Sequence, residues 1–248
     1  MATTSACHWT PRSSPTRGSP RFVGGTADVA SNTVRSHPVY AACYDRFNAY
    51  AERSWLGAAR RRIAGLARGT LLEIGAGTGA NLPYYQGIDE VIACEPDPAY
   101  RRRLARRVPE ARVAVRMVDA AAESLPVPDG SVDTVVSTLT MCSVDDPATV
   151  AAELARILRP DGQILLFEHI RTDRGRLPRL LQTLAIPVWY CFAGGCRLNR
   201  PTLDTLRVAG FEVSVLETLY APHTPRVMYP FVTAVVTPRP NRAAPEAA

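Results

Sequence analysis

The sequence has no lysine, since all 29 of its basic residues are arginine, and its formal net charge is +6. Without lysine, a Tyr-x-x-x-Lys catalytic pair is excluded, and the dehydrogenases that depend on it are disfavoured. The arginines are dispersed along the chain. Their densest runs, at 60–62 and 101–107, fall in predicted helices, where we expect them to cover the outer face. Dispersed charge of this kind predicts no nucleic-acid partner.

Long apolar runs are also missing. No stretch approaches the roughly 18 residues that a membrane-spanning helix needs, so we expect no integral membrane span. The first residues, MATTSACHWTPRSSPTRGSPRF, contain no apolar core of the signal-peptide kind. The sequence therefore predicts a cytoplasmic protein.

The six cysteines include no C-x-x-C pair. Cys191 and Cys196, with only four histidines scattered through the chain, do not have the spacing of a zinc site. We therefore predict no metal and reduced cysteines, with Cys94 as a small core residue inside an apolar strand.

Composition divides the chain into three parts. Residues 1–36 are rich in proline, serine, threonine, arginine and glycine and are predicted to be disordered, and 239–248 form a predicted flexible tail. Between them, 37–238 are predicted to form a single domain. Its segments alternate between strands and helices, with a short helix predicted over 78–86 and a turn at 160–162. The continuous apolar strands indicate a doubly wound α/β sheet covered on both faces, closed by an antiparallel hairpin.

A glycine-rich loop, LLEIGAGTGANLPYY, follows the first predicted strand. Glycine at 75, 77 and 79 lets the backbone turn sharply and approach a ligand closely. Gly75, Gly77 and Ala80 also fit the dinucleotide fingerprint G-x-G-x-x-G/A, and Glu95 lies about 20 residues after Gly75, where an acid contacts ribose. The loop thus predicts a nucleotide-like ligand without choosing between dinucleotides and other nucleosides.

Three other features discriminate between these ligands. Glu73 lies two residues before the first glycine, where a pyrophosphate would be repelled and an ammonium group attracted. The blocks AAAESLPVPDGSVDTVVST and LARILRPDGQILLFEHI follow in order. Together these motifs, over about 40–236, resemble class I S-adenosylmethionine-dependent methyltransferases. The resemblance implies a Rossmann-like, mostly parallel seven-stranded sheet and S-adenosylmethionine as cofactor, with S-adenosylhomocysteine as product.

The resemblance also implies roles for individual residues. Glu73 would steer the ammonium group, Glu95 would bind the ribose hydroxyls, and Tyr44 would close over the cofactor. Thr138 and Leu139 would lie under the sulfonium. The complete set of implied cofactor-binding residues is Tyr44, Glu73, Gly75, Ala76, Gly77, Gly79, Asn81, Glu95, Pro96, Ala122, Glu123, Thr138 and Leu139.

The stretches TLTMCSV, FEHI and WYCFAGGCRLNRPTLDTLRVAGF resemble the methyltransferase-like seven family more closely. Its vertebrate members are membrane-associated alkyl-thiol S-methyltransferases. The resemblance implies methyl transfer to a small-molecule thiol, in natural-product biosynthesis or thiol detoxification. Those relatives carry an N-terminal anchoring segment, whereas the first residues here are polar, so a membrane location is not implied.

Two segments, 37–67 and 171–200, are predicted to cap the acceptor site. His169, at the end of the fifth strand, is the predicted catalytic base, because ligands bind at the carboxyl edge of such sheets. Arg197 is a candidate cation that would lower the pKa of the acceptor or pair with a carboxylate of the substrate. The predicted acceptor-binding residues are Tyr40, Met141, Cys142, Trp189, Cys196 and Arg197.

Two alternatives stay open at this stage. A small-molecule O-, N- or C-methyltransferase acting on a quinone, natural product or phospholipid headgroup would share every cofactor motif. A cofactor-binding regulatory module would keep the loop without catalysis. The sequence does not define the oligomeric state.

Overall fold

Seven strands form one sheet in the order β3-β2-β1-β4-β5-β7-β6. The computed structural model describes Ser36 and residues 38–239. The strands are β1 (Thr70–Ile74), β2 (Glu90–Cys94), β3 (Ala114–Val118), β4 (Val132–Thr138), β5 (Leu158–His169), β6 (Phe211–Leu219) and β7 (Phe231–Pro238). The first five pair in parallel, and β7 lies antiparallel to both β5 and β6. The predicted Rossmann-like, mostly parallel sheet with a C-terminal antiparallel pair is confirmed.

Helices cover both faces of this sheet because the central strands are apolar on both sides. They are α1 (Pro38–Ala51), α2 (Gly57–Ala64), α3 (Pro98–Arg107), α4 (Pro147–Ile157), α5 (Arg176–Phe192) and α6 (Thr202–Val208), with a π-helical turn, Glu52–Leu56, joining α1 to α2. None of the helices in the described residues is long and apolar enough to cross a membrane.

The starts of α3 and α4 follow from the same local sequence, an aspartate before a proline. Asp97 Oδ1 accepts a hydrogen bond from Ala99 N at 2.7 Å, and Asp146 Oδ1 accepts one from Ala148 N at 2.9 Å. The side chain satisfies a backbone donor that the first turn leaves unpaired, and the proline needs none. These caps fix where the chain leaves the ends of β2 and the β4 loop.

The core has a layer on each side of the sheet. One layer packs α4 and α6 against residues such as Leu72, Ile164 and Phe211. The other packs α2 and α3 against residues such as Leu71 and Phe167, with Phe167 stacked on Phe231 at 5.8 Å between ring centroids. Cys94 is buried in the first layer, as predicted.

Two predicted elements differ from the observed structure. The helix expected over 78–86 is reduced to a single 3₁₀ turn, Leu82–Tyr84, because Gly79 and Pro83 interrupt a longer helix. The turn expected at 160–162 falls within the bounds of β5 as a bulge, because Leu158 pairs with Val132 and Gln163 with Thr134, which leaves 159–162 without a partner on β4. The predicted disordered segment lies outside the described residues except for Ser36, as does the predicted tail except for Arg239.

Candidate functional site

A cavity of about 900 Å³ opens at the carboxyl edge of the sheet. It lies where β1 and β4 are neighbours and the strand order reverses, which is where open α/β sheets bind ligands. Its lining comes from the loops after β1, β2, β3 and β4, from the end of β5, and from residues of α1 and α5. Both segments of the predicted cap therefore contribute to its wall.

The glycine loop after β1 approaches the cavity through its backbone. Gly75 has φ +60°, and a Cβ there would lie 2.5 Å from the Thr140 side chain. Gly77 has φ +59°, and its N–H donates to Glu95 Oε2 at 2.8 Å. Side chains at these two positions would strain the backbone, and at Gly75 one would also displace the neighbouring loop.

Glu95 follows β2 and is held by the backbone on both sides. Its Oε1 accepts from Asp97 N at 2.9 Å, in addition to the Gly77 contact. Burial raises the pKa of Glu95 to about 7, although these N–H donors favour the ionised form. A carboxylate oxygen has a second lone pair, so Glu95, which lines the cavity, can still accept hydrogen bonds from a ligand.

Glu73 lies beneath the glycine loop in a buried polar network. It accepts from Asn81 Nδ2 at 2.7 Å and from the Tyr85 hydroxyl at 3.0 Å. Burial raises the pKa of Glu73 to about 7. Arg60 Nη1 donates to Asn81 Oδ1 at 2.8 Å, and Arg60 Nε donates to Glu52 Oε1 at 2.9 Å. The carboxylate and the guanidinium thus face the same region.

A second, small cavity of about 20 Å³ lies between these two charges. Arg60 and Glu73 both line it, together with Tyr44 and the backbone of the glycine loop. One cation and one carboxylate in a small enclosed space match the carboxylate and ammonium groups of an amino acid.

The loop after β4 is fixed by a buried acid on β5. Glu168 Oε1 accepts from Thr140 N at 2.7 Å, Met141 N at 2.9 Å and Ser137 Oγ at 2.8 Å. Leu139, just before these residues, has φ +55°, a left-handed conformation that is uncommon for leucine. Strained backbone of this kind is found where a ligand site requires it.

The wall formed by α1 and the end of α5 is aromatic. Tyr44 contacts Tyr40 and Tyr100 edge to face, with ring centroids 5.7 Å and 5.8 Å away. Trp189 lines the cavity from α5, and Tyr40 packs where a side chain at Gly194 would lie. Aromatic rings cover a planar or apolar ligand with large contact area.

Two cysteines and a histidine meet at the inner end of the cavity. The ligand atoms of Cys142, His169 and Cys196 all lie within 4.8 Å of one another. His169 Nε2 is 2.8 Å from Cys196 Sγ. The contact with Cys196 and burial raise the pKa of Cys142 well above its usual value. Burial lowers the pKa of His169, but Cys142 and Glu168 outweigh it and the net shift is upward.

The structure brings most of the predicted site residues together. Those that line the large cavity are Tyr40, Tyr44, Gly75, Gly77, Glu95, Pro96, Ala122, Glu123, Thr138, Leu139, Cys142, His169, Trp189 and Cys196. Glu73 and Ala76 line the small one.

Four predicted residues do not line either cavity: Gly79, Asn81, Met141 and Arg197. At Gly79 a Cβ would lie 2.9 Å from Leu104 Cδ1, and Asn81 connects Glu73 to Arg60. Met141 belongs to the core. Arg197 Nη1 donates to Val144 O at 3.0 Å, which places the Arg197 side chain against the loop after β4.

The sequence interpretation missed Arg60, which was expected on an outer helix face but has only 4% of its surface exposed. The helical period held the signal, since Leu56 and Ile63 lie one turn before and after it and are both buried. Tyr100 and Glu168 were also missed, because an aromatic in an arginine-rich helix and an acid in an apolar strand carry no motif.

The parallel sheet with its antiparallel C-terminal pair, the glycine loop and the acid after β2 define the class I S-adenosylmethionine-dependent methyltransferases. A family model described as a methyltransferase domain matches residues 72–166. A crystal structure from Thermotoga maritima, titled a SAM-dependent methyltransferase and possible histamine N-methyltransferase, superimposes with a TM-score of 0.60. It covers 81% of this chain and 96% of its own, at 24% identity, and so supports the fold.

Among curated proteins, human thiol S-methyltransferase TMT1A is 34% identical over 166 residues, which are 66% of this chain and 68% of that protein. Rat thiol S-methyltransferase TMT1B is 35% identical over 151 residues, 60% of this chain and 62% of that protein. The chain thus spans about two thirds of TMT1A and less than two thirds of TMT1B. It belongs to the S-adenosylmethionine-dependent methyltransferase family that includes human TMT1A.

Proposed function

We propose that this methyltransferase transfers the methyl group of S-adenosylmethionine to the sulfur of a small-molecule thiol. The observation that carries the proposal is the cavity itself, in which the cofactor motifs and the cluster of Cys142, His169 and Cys196 share one space. The relatives named thiol S-methyltransferases support the same acceptor.

The cofactor is proposed to lie along the carboxyl ends of β1, β2 and β4. Glu95 accepts hydrogen bonds from the ribose hydroxyls, and the backbone of Gly75 and Gly77 allows the ligand to approach. Glu73 and Arg60 bind the ammonium and carboxylate ends of the methionine moiety, on either side of the small cavity.

The rest of the cofactor is proposed to occupy the large cavity. Thr138 and Leu139 lie under the sulfonium, with Tyr44 above it. The adenine lies beside Pro96, Ala122 and Glu123, which line the same cavity.

The acceptor is proposed to enter between α1 and the end of α5, against Tyr40 and Trp189. Thiolate is a strong nucleophile even though a thiol is mostly protonated at neutral pH. The cofactor's methyl group is already activated, so holding sulfur in line with it supplies much of the rate, up to roughly 7–11 kcal/mol in favourable cases. His169, the predicted catalytic base, lines the same cavity, so the sulfur is proposed to bind beside it. Arg197, turned toward Val144, is assigned to positioning the β4 loop.

The test is turnover with a panel of thiols, phenols and amines, followed by release of S-adenosylhomocysteine. We expect thiols to give the highest kcat/KM. Turnover of phenols or amines alone would agree with a methyltransferase but contradict the thiol acceptor, and the acceptor atom would then be oxygen or nitrogen. Cofactor binding without transfer to any of them would indicate a regulatory module. The cytoplasmic location and the role in biosynthesis or detoxification stay predictions from the sequence.

A further inference from the structure

Three metal-ligating side chains from separate parts of the fold converge at the acceptor end of the cavity. Cys142 follows β4, His169 ends β5, and Cys196 follows α5 and the Gly194–Gly195 turn. Each keeps 6% or less of its surface exposed, and their ligand atoms lie within 4.8 Å of one another. Three such side chains at this separation can converge on one ion after small movements.

The contact between His169 and Cys196 is short for a hydrogen bond. Their Nε2 and Sγ atoms are 2.8 Å apart, which is slightly less than the usual N–H···O distance although sulfur is the larger atom. Around a tetrahedral Zn²⁺, Zn–S distances of about 2.3 Å and Zn–N distances of about 2.0 Å place such atoms roughly 3.5 Å apart. The two side chains would therefore need to move apart by less than about 1 Å for both atoms to coordinate one zinc ion.

The backbone that carries the two cysteines is fixed from outside. Arg197 N donates to Cys142 O at 3.0 Å, which ties the segment after α5 directly to the loop after β4. The guanidinium groups of Arg197 and Arg200 both donate to Val144 O, at 3.0 Å and 2.7 Å. These contacts hold the backbone of both cysteines in place, so their side chains stay directed to the same end of the cavity.

We propose that Cys142, His169 and Cys196 bind Zn²⁺, and that its fourth coordination position opens into the cavity and takes the acceptor thiol. Thiolate and imidazole ligands select zinc over harder ions, and three protein ligands with an open fourth position are the pattern of catalytic zinc sites. This replaces the prediction of no metal and assigns His169 as a ligand. The inference rests on the proposed thiol acceptor only for the occupant of the fourth position.

The proposed step balances in atoms and charge. The acceptor thiol loses its proton to water in the cavity when its sulfur binds the ion. The thiolate then attacks the methyl carbon, and a new sulfur–carbon bond forms. The bond from that carbon to the sulfonium breaks, its electron pair stays on sulfur, and neutral S-adenosylhomocysteine results. Two cysteine thiolates neutralise Zn²⁺, so the bound acceptor keeps its negative charge as nucleophile. The methylated product is a weaker ligand and leaves.

The first test measures the zinc content of the protein and does not depend on its activity. The full-length chain is purified under reducing conditions, and its zinc content is determined after dialysis. We expect about one Zn²⁺ per chain, and, after exchange with Co²⁺, a near-ultraviolet thiolate-to-cobalt charge-transfer band. Less than about a tenth of an equivalent of zinc, with no such band, would overturn the proposal.

Cysteine variants locate the site. Cys142→Ser and Cys196→Ser are expected to lose the cobalt band, whereas Cys191→Ser, which removes an exposed thiol of α5, is expected to keep it. Circular dichroism and S-adenosylhomocysteine binding establish that each variant is folded. If Cys191→Ser lost as much metal as Cys142→Ser, or if Cys142 and Cys196 were joined by a disulfide in the reduced preparation, the assignment would be wrong.

Turnover separates this inference from the proposed function. Zinc bound at the cluster without methylation of any thiol would leave the metal site and remove the thiol acceptor. Thiol methylation at an unchanged rate by chelator-treated, metal-free protein would leave the thiol acceptor and remove the proposed binding of that thiol to the ion.

Discussion

At the scale of single residues, Glu95 has a double task, because its carboxylate orders the glycine loop and also faces the ligand. Glu95→Gln leaves one oxygen for two backbone donors and for the ribose. We expect S-adenosylhomocysteine to bind roughly ten- to a hundredfold more weakly, as measured by calorimetry, because a hydrogen bond to a charged group is worth about 1.5–3 kcal/mol. Glu110→Gln changes an exposed acid in the same way and should bind normally. Equal affinity in the two variants would contradict the assignment.

Glu73 predicts a pH dependence of stability. Its pKa is raised from 4.5 to about 7 in the folded chain by burial, so the folded state holds a proton that the unfolded state has released. Stability from this group is therefore greatest below pH 4.5 and is lost as pH rises toward 7, by up to about 3 kcal/mol. Urea unfolding at several pH values should show that, as pH rises from 4.5 to 7, the free energy of unfolding of Glu73→Gln increases relative to that of the native chain.

The matched control is Glu212→Gln, which removes an exposed carboxylate from β6. Its unfolding free energy should follow that of the native chain at each pH. A Glu73→Gln curve that also ran parallel to the native one would show that the carboxylate is not the buried group described above.

At the scale of elements, α2 contains consecutive arginines with opposite surroundings. Arg60 is buried and bonds to Glu52 and Asn81, whereas Arg62 pairs with Glu217 at the surface, where both side chains are nearly half exposed. Removing one member of a buried charged network costs about 3 kcal/mol or more, while an exposed pair contributes about 1 kcal/mol or less. Arg60→Ala should lower the free energy of unfolding far more than Arg62→Ala, and equal losses would contradict the buried network.

The loops at the strand ends give a second comparison. Gly75 and Gly130 have nearly the same backbone conformation, φ +60° and φ +55°, but a Cβ at Gly75 meets Thr140 and one at Gly130 meets nothing within 4 Å. Both Gly→Ala variants should lose about 1–2 kcal/mol of stability from the left-handed backbone. Only Gly75→Ala should also lose S-adenosylhomocysteine binding, measured by calorimetry. Normal binding by Gly75→Ala would show that cofactor binding does not depend on the close contact between the glycine loop and Thr140.

Elements with a strong local signal were predictable from the sequence. The apolar runs at 70–74 and 90–94 and the Asp-Pro starts of α3 and α4 fixed their own structure. The segment 78–86 was misjudged because its glycine and proline outweigh its helical pattern. The segment 160–162 lies within the bounds of β5 but has no partner on β4, so its turn sequence is kept as a bulge in the strand. The strand continues beyond it because pairing with β4 resumes at Gln163, and such tertiary pairing leaves no local trace.

At the scale of the whole molecule, the site is assembled from segments far apart in the chain. The cofactor side could be predicted because glycine spacing and strand-end acids are local features. The acceptor side could be predicted only as a set of residues. Its decisive feature, the approach of Cys196 to His169 and Cys142, depends on how α5 returns to the sheet edge. Such long-range placement is set by packing and is not encoded in spacing.

The central claim, methyl transfer to sulfur, is tested most directly by an acceptor that offers two nucleophiles in one molecule. The protein is incubated with S-adenosylmethionine and a small mercaptoalcohol, and in a second reaction with S-adenosylmethionine and a small aminothiol. The position of the new methyl group is then read by NMR and mass spectrometry. We predict S-methyl products alone, formed in step with S-adenosylhomocysteine. Methyl groups on oxygen or nitrogen, with the thiol left free, would contradict the account.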